Sequence, residues 1–217
     1  MDSILNRKLE FYHNVSSGDK KHISENLHKE NVQILTGFID NFDIVKEFYH
    51  TYYKPNKKGR IVLCGINPGR LGAGKTGVPF LDYKSLSQLL TTVSSQECEQ
   101  SAQFIWQIIS KFGSIDFFDQ VYLTNISWFG FSKDGKNLNY NQLSPELVKI
   151  FTEGFADEMA IIQPRLIIPL SKEVNRTLRD MHLGYKLGKR LKHPNYCKFP
   201  SRVEEGVNSY IKAIISN

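Results

Sequence analysis

The sequence is poor in cysteine. Three residues, Cys64, Cys98 and Cys197, are scattered along 217, with no CxxC pair. An odd, dispersed set builds no disulfide framework, and it lacks the paired thiolates of a zinc or iron–sulfur cluster. The expectation is a reducing, cytoplasmic setting. Long apolar runs are missing too, since none approaches the ~18 residues of a membrane span. Met1-Asp2-Ser3-Ile4-Leu5-Asn6 has no basic stretch leading into an apolar one, so no signal peptide is expected. Neither repeats nor low-complexity tracts occur. Aromatics, in contrast, are abundant. The 14 Phe and 10 Tyr supply a core and exclude disorder for most of the chain. The length suits one domain with a small extension.

Acid is in short supply: 22 Asp and Glu stand against 28 Lys and Arg, a net charge of +6. The excess is concentrated. Between Met181 and Arg202 lie Lys186, Lys189, Arg190, Lys192, Lys198 and Arg202, without one acid. Such a cluster reads either as a solvated surface or as a contact for nucleic-acid phosphates. What else the segment holds must decide.

Residues 1–40 are polar and weakly patterned, which predicts a helical and looped extension packed on a main domain of residues 41–217. From Asp43 onward Ile44, Val45, Phe48, Tyr49 and Tyr52 have helical spacing. Arg60–Gly65, Gln120–Thr124 and Arg165–Leu170 are short continuous apolar runs, the pattern of strands buried on both faces. Helical faces lie between them. One carries Phe104, Ile105, Ile108, Ile109 and Phe112. Another carries Leu147, Ile150, Phe151, Phe155 and Met159 behind Ser144 as N-cap and Pro145 at the first helical position. Ser171 is placed to cap a helix through Met181, and Ser201-Arg202-Val203-Glu204 reads as a capping box opening a last helix. A fourth strand is expected near Tyr185–Leu191. The alternation predicts an α/β class, a three-layer α/β/α sandwich around a short, mostly parallel four-stranded sheet. Ligands of such sheets sit beyond the carboxyl ends of the strands.

The segment after the first strand, Gly65 to Phe80, reads GINPGRLGAGKTGVPF. GRLGAGKT satisfies the P-loop expression, and GAGKTG satisfies GxGxxG. A P-loop needs a helix starting at the Lys-Thr end so that its amides face phosphate. Gly77-Val78-Pro79 opposes one there, and no aspartate ends a later strand. GxGxxG neither follows a strand directly nor opens a helix. The glycines and prolines instead shape a tight loop that allows close backbone approach to a ligand, with Asn67 and Phe80 as the side chains it presents.

Gly65-Ile66-Asn67-Pro68-Gly69, Thr76-Gly77-Val78-Pro79-Phe80, a strand ending in Asn125, and His193-Pro194 occur in that order. This combination resembles the uracil-DNA glycosylase superfamily, most of all its single-strand-selective monofunctional branch and bacterial relatives, over roughly residues 42–215. The resemblance implies a monofunctional glycosylase, with no metal and no cofactor, that hydrolyses the N-glycosidic bond of uracil in DNA and initiates base excision repair. It implies catalytic roles for His193, donating a hydrogen bond to the departing base at O2, and for Asn67, orienting a water in the place where faster members carry an aspartate. Asn125 would read O4 and N3–H of the base, Phe80 would stack on it, and the backbone near Gly65 and Ile66 would complete the pocket. Gly69 stands where uracil-only relatives have a tyrosine against the C5 edge, which implies tolerance of C5-modified uracils such as 5-hydroxymethyluracil. In the loop after His193, Tyr196 and Phe199 are candidates for the base vacancy and Lys198 and Arg202 for phosphates, with Lys192 and Asn195 as further expected DNA contacts. That loop departs from the family, which usually has a serine at the Asn195 place. The expected partner is DNA with a damaged or deaminated base, without membrane contact or obligate oligomer. Two other classes stay open: a non-catalytic binder of damaged or single-stranded DNA on the same fold, and a P-loop phosphohydrolase.

Overall fold

The computed structural model describes residues 1–217. Two helices, α1 (Asp2–Ser16) and α2 (Lys21–Lys29), lead into a short strand β1 (Val32–Ile34), one turn of helix α3 (Gly37–Asp40) and helix α4 (Phe42–Tyr52). Strand β2 (Ile61–Gly65) follows, then the short helices α5 (Ala73–Thr76) and α6 (Tyr83–Ser87), then α7 (Gln100–Phe112) and α8 (Ser114–Gln120). Strand β3 (Val121–Asn125) is followed by a hairpin of β4 (Phe131–Lys133) and β5 (Lys136–Leu138). Helix α9 (Pro145–Ile162), strand β6 (Leu166–Pro169) and helices α10 (Lys172–Asp180), α11 (Pro194–Cys197) and α12 (Pro200–Ile215) complete the chain. No helix is long and apolar enough to cross a membrane.

The architecture is an α/β/α sandwich on a parallel sheet of order β3-β2-β6. Every residue of these three strands is buried. That is why they read as unbroken apolar runs: with helices on both faces, neither side of the strand meets water. On one face Tyr122 packs against Tyr49 of α4 and Tyr53 just after it and donates to Glu158 of α9 (2.7 Å). Helices α7, α11 and α12 pack together as a second group, and Gly206 lets α12 close on it. A Cβ there would lie 2.9 Å from both Cys197 Cβ and the Phe104 ring.

Two expectations need correction. The fourth strand near Tyr185–Leu191 is reduced to one bridge, Ile167 to Leu187. Ile167 N donates to Lys186 O and Gly188 N donates back to Ile167 O (both 2.9 Å), and Leu191 N reaches Pro169 O (3.0 Å). Gly184, with φ +77, and Gly188 keep the segment irregular, so it edges the sheet without forming a regular ladder. The capping box at Ser201 is not formed either. Pro200 is the first helical residue of α12 and Phe199 its N-cap, with no side-chain cap bond. A proline's fixed φ suits that first position, which places the serine second in the helix and not at its cap. Ser171, in contrast, caps α10, its hydroxyl accepting from Val174 N (3.1 Å).

A second sheet has no counterpart in the apolar runs. It is antiparallel, of order β1-β4-β5, and ties the N-terminal segment to the hairpin.

Candidate active site

Strands β2 and β3 end in register, Gly65 opposite Asn125. Ile126 N and Ser127 N continue the ladder to the carbonyls of Gly65 (3.0 Å) and Ile66 (3.1 Å). Asn125 is buried at this floor, 5% exposed, yet its carboxamide is engaged by no other group of the protein. Gly65 is what lets its neighbours meet. A Cβ at that position would lie 2.5 Å from Phe80 Cζ and collide with Asn125 Oδ1. Phe80 itself is left-handed, with φ +63, a conformation costing a non-glycine residue about 1–2 kcal/mol. The turn that holds it is built on Thr76. This buried hydroxyl accepts from Val78 N (3.2 Å) and donates to Leu81 O (2.8 Å).

Asn67 is fixed by backbone on three sides. Its Nδ2 donates to Leu138 O and Pro68 O (both 3.3 Å), and its Oδ1 accepts from Tyr140 N (3.1 Å). These partners set the amide's orientation and leave one Oδ1 lone pair.

His193 enters from the segment that edges the sheet. Tyr210 OH donates to Lys192 O (2.7 Å) and anchors the residue before it. Pro194 opens α11, and His193 Nδ1 accepts from Asn195 N (3.1 Å). With Nδ1 as acceptor, the neutral ring carries its proton on Nε2. Burial pushes the imidazole pKa below its ordinary value, opposed in part by the charges of Glu99 and Glu173. At neutral pH the residue is therefore an uncharged donor.

These elements surround one cavity of about 450 Å³. Ile66, Asn67, Gly69, Phe80, Asn125, His193 and Asn195 all line it. Of the base-site residues expected from sequence, only Gly65 stays behind the wall, under Phe80 and Asn125. Gly69 opens onto the same space: a Cβ there would meet nothing nearer than Asn137 Nδ2 at 3.9 Å. Residues without a motif complete the lining, among them Leu71, Glu99, Asn137, Asn139, Ser171 and Glu173. Ser171 and Glu173 follow strand β6, where sheet topology alone points. Asn137 and Asn139 come from the unforeseen hairpin.

The basic cluster lies beside this cavity. Lys192, Tyr196 and Arg202 line a separate hollow of about 570 Å³ together with Lys189, Arg190 and Lys212. The Arg202 guanidinium sits 4.2 Å from the Tyr196 ring centre, and Lys198 and Arg202 flank Phe199 at 5.6 Å each. Tyr196 and Phe199 are about half exposed. The Lys75 ammonium pairs with Glu97, and α5 ends at Thr76 where a P-loop helix would start. No group of three or more His, Cys, Asp or Glu side chains is placed to hold a metal ion.

A slot of this size at strand ends, floored by an unpartnered amide and faced by an aromatic ring and an uncharged imidazole N–H, has the shape and polar groups to hold one flat polar ring. The sequence model of the Uracil DNA glycosylase superfamily matches residues 50–210, and the chain belongs to that superfamily. Among solved structures it is similar to wild-type SMUG2 from Pedobacter heparinus, with 26% identity and a TM-score of 0.75 over 86% of this chain and 88% of that one. No curated protein matches it in sequence. The chain is a glycosylase-type hydrolase that acts on DNA.

Proposed function

We propose that the enzyme is monofunctional and excises uracil and C5-substituted uracils, 5-hydroxymethyluracil among them, from DNA. The bond broken is that between C1′ of the deoxyribose and N1 of the base. Its electron pair leaves with the base, and the sugar becomes oxocarbenium-like before water adds at C1′. His193 Nε2–H meets the charge that develops on O2. A preorganised donor of this type contributes roughly 3–4 kcal/mol. Asn125 gives its N–H to O4 and takes the N3–H, a pattern that cytosine reverses. Phe80 stacks on the ring, worth about 1–3 kcal/mol. Asn67 cannot accept a proton as a base and acts by holding the water in place.

Gly69 supports the wider substrate range. Its backbone is not left-handed and a side chain would fit, so the glycine answers no steric need of the fold and leaves the pocket open. The lining contains no lysine, which supports hydrolysis without a lyase step, since that step needs an amine nucleophile. Around the slot, Asn195, Tyr196 and Phe199 meet the strand where the base has left, and Lys192, Lys198 and Arg202 hold phosphates.

The observation that carries this reading is the meeting of Asn125, Phe80 and the His193 N–H in one cavity. The test is an oligonucleotide with a single uracil, treated with enzyme and then alkali. Strand cleavage is expected, and His193→Ala should reduce it at least about 100-fold with DNA affinity kept. Retention of the oligonucleotide without cleavage would mark a binding protein instead, and unchanged excision by the alanine variant would remove His193 from the mechanism.

A further inference from the structure

The superfamily match begins at residue 50, yet the segment before it reaches the site. Strand β1 pairs with β4, Val32 to Lys133 through Ile34 to Phe131. Leu35 N extends the ladder to Gly130 O (2.8 Å). Strand β4 pairs in turn with β5, and Asn31 Nδ2 ties down the hairpin turn at Asp134 Oδ1 (2.7 Å). Strand β5 and the chain leaving it supply the groups that fix the loop carrying Asn67. Leu138 O and Tyr140 N hold the Asn67 carboxamide, and Asn137 Oδ1 accepts from Arg70 N (2.8 Å).

The same segment also packs behind that loop. A Cβ on Gly74 would lie 2.5 Å from Leu35 Cδ1, and one on Gly130 would lie 2.8 Å from the same atom and overlap Pro68 O. Asn41 Nδ2 donates to Lys75 O (2.7 Å). Residues 31–41 therefore grip loop 67–77 twice, directly from behind and through the hairpin from the side.

We infer that residues 31–41 and the 131–138 hairpin form a positioning element for Asn67, which sets the direction of its amide and hence of the water it orients. This rests on the role given to Asn67 above. None of these residues except Asn137 lines the cavity, so the element acts through Asn67 and leaves base recognition to Asn125 and Phe80. It adds the N-terminal segment, which carries no motif, to the catalytic apparatus.

Gly135→Val is the selective probe. Gly135 has φ +71 and nothing within 4 Å of a Cβ, so valine strains the turn without striking a neighbour. Asn31→Ala, at an exposed tie, is the milder second variant should the first fold poorly. Each is measured alone and in an Asn67→Ala background, with kcat and KM on the uracil oligonucleotide and hydrogen exchange at the Tyr140 amide. We expect Gly135→Val to lower kcat about 10-fold with KM little changed, to speed exchange at Tyr140, and to have less than a twofold effect once Asn67 is alanine. Equal losses in both backgrounds, or unchanged exchange at Tyr140, would overturn the inference. If Asn67→Ala alone excises at the wild-type rate, the role given to Asn67 fails instead. The Tyr140 exchange then decides the positioning question by itself.

Discussion

Replacing Gly65 by alanine is the sharpest perturbation of the slot, because one methyl group strikes both recognition side chains. The added carbon would sit 2.5 Å from Phe80 Cζ and press on Asn125 Oδ1. Carbon atoms pack at about 3.5–4.0 Å, so the neighbours must retreat by roughly 1 Å. Neither can do so freely. Phe80 is already held at φ +63, and Asn125 ends a buried strand in register with Gly65 itself. Overpacking of this kind costs about 1–3 kcal/mol, and in a chain of this size each kcal/mol lowers Tm by roughly 2–4 °C. The loss of function should be larger than the loss of stability. A misplacement near 1 Å at the reacting group costs on the order of 100-fold. The assay is cleavage of a uracil oligonucleotide well below the variant's Tm, with affinity for an abasic-site oligonucleotide measured alongside. Excision should fall about 100-fold and abasic-site affinity should hold, because the basic face around Arg202 is untouched. An alanine enzyme that excises within threefold of wild type would refute the packing argument and with it the assignment of Asn125 and Phe80 to one base.

Gly69→Tyr should leave uracil excision within a few-fold and lower 5-hydroxymethyluracil excision at least about 10-fold; equal effects on both substrates would show that the C5 edge lies elsewhere. The pH profile follows His193. Its folded pKa lies below the ordinary value near 6.5, so the neutral donor persists below that pH and the acid limb of excision should fall under about pH 6.5. The unfolded chain binds the proton first, so this residue's effect on stability is a loss that grows as pH drops from about 6.5 and levels off beneath the folded value. Glu99→Gln and Glu173→Gln remove the two charges that hold the imidazole pKa up, and each should move the limb to lower pH; a shift toward alkali would contradict the placement of those carboxylates. Lys8→Met probes the back of the fold. Lys8 Nζ meets Glu158 at 3.1 Å with both side chains buried, and Tyr122, Thr124 and Trp128 also donate to that carboxylate. Removing one partner of a buried pair costs about 3–5 kcal/mol, measurable by urea unfolding. A loss below 1 kcal/mol would mean that the three neutral donors suffice.

The parallel sheet was legible because double burial leaves an unmistakable composition: β2, β3 and β6 coincide with the three apolar runs. The candidate base-site residues stood out because loops at strand ends carry the motif, and one sheet brings those ends to one cavity. The N-terminal segment was legible as a helical, looped extension, but the face it buries was not. Helix α1 buries Ile4, Leu5, Lys8 and Val15, and a lysine on a buried face looks like solvent exposure until its partner, 150 residues away, is known. The hairpin did leave a signal. Asp134 and Gly135 have φ +50 and +71, and Asp-Gly is a strong mark of a two-residue hairpin turn. It was obscured because each strand is only three residues long and the flanking lysines interrupt any apolar alternation. Glu99 and Glu173 stood outside every motif. Their importance comes from distance to His193, which spacing in the chain does not encode.

The way Asn67 is held suits an amide and not an aspartate in the role proposed for it. Its Nδ2 lies against two carbonyl oxygens, those of Leu138 and Pro68, and only its Oδ1 faces an N–H. A carboxylate in this cradle would keep the bond from Tyr140 N and set its second oxygen against both carbonyls. Two hydrogen bonds would become repulsions, at a partly buried position where unsatisfied polar groups are costly. The loop is thus built around an amide, and an amide brings no proton acceptor to the water. On the proposed mechanism the barrier is then lowered mainly on the side of the departing base, at His193 and Asn125, and the sugar is electron-poor before water commits. A weakly activated nucleophile at Asn67 thus requires a strongly organised leaving-group pocket opposite it.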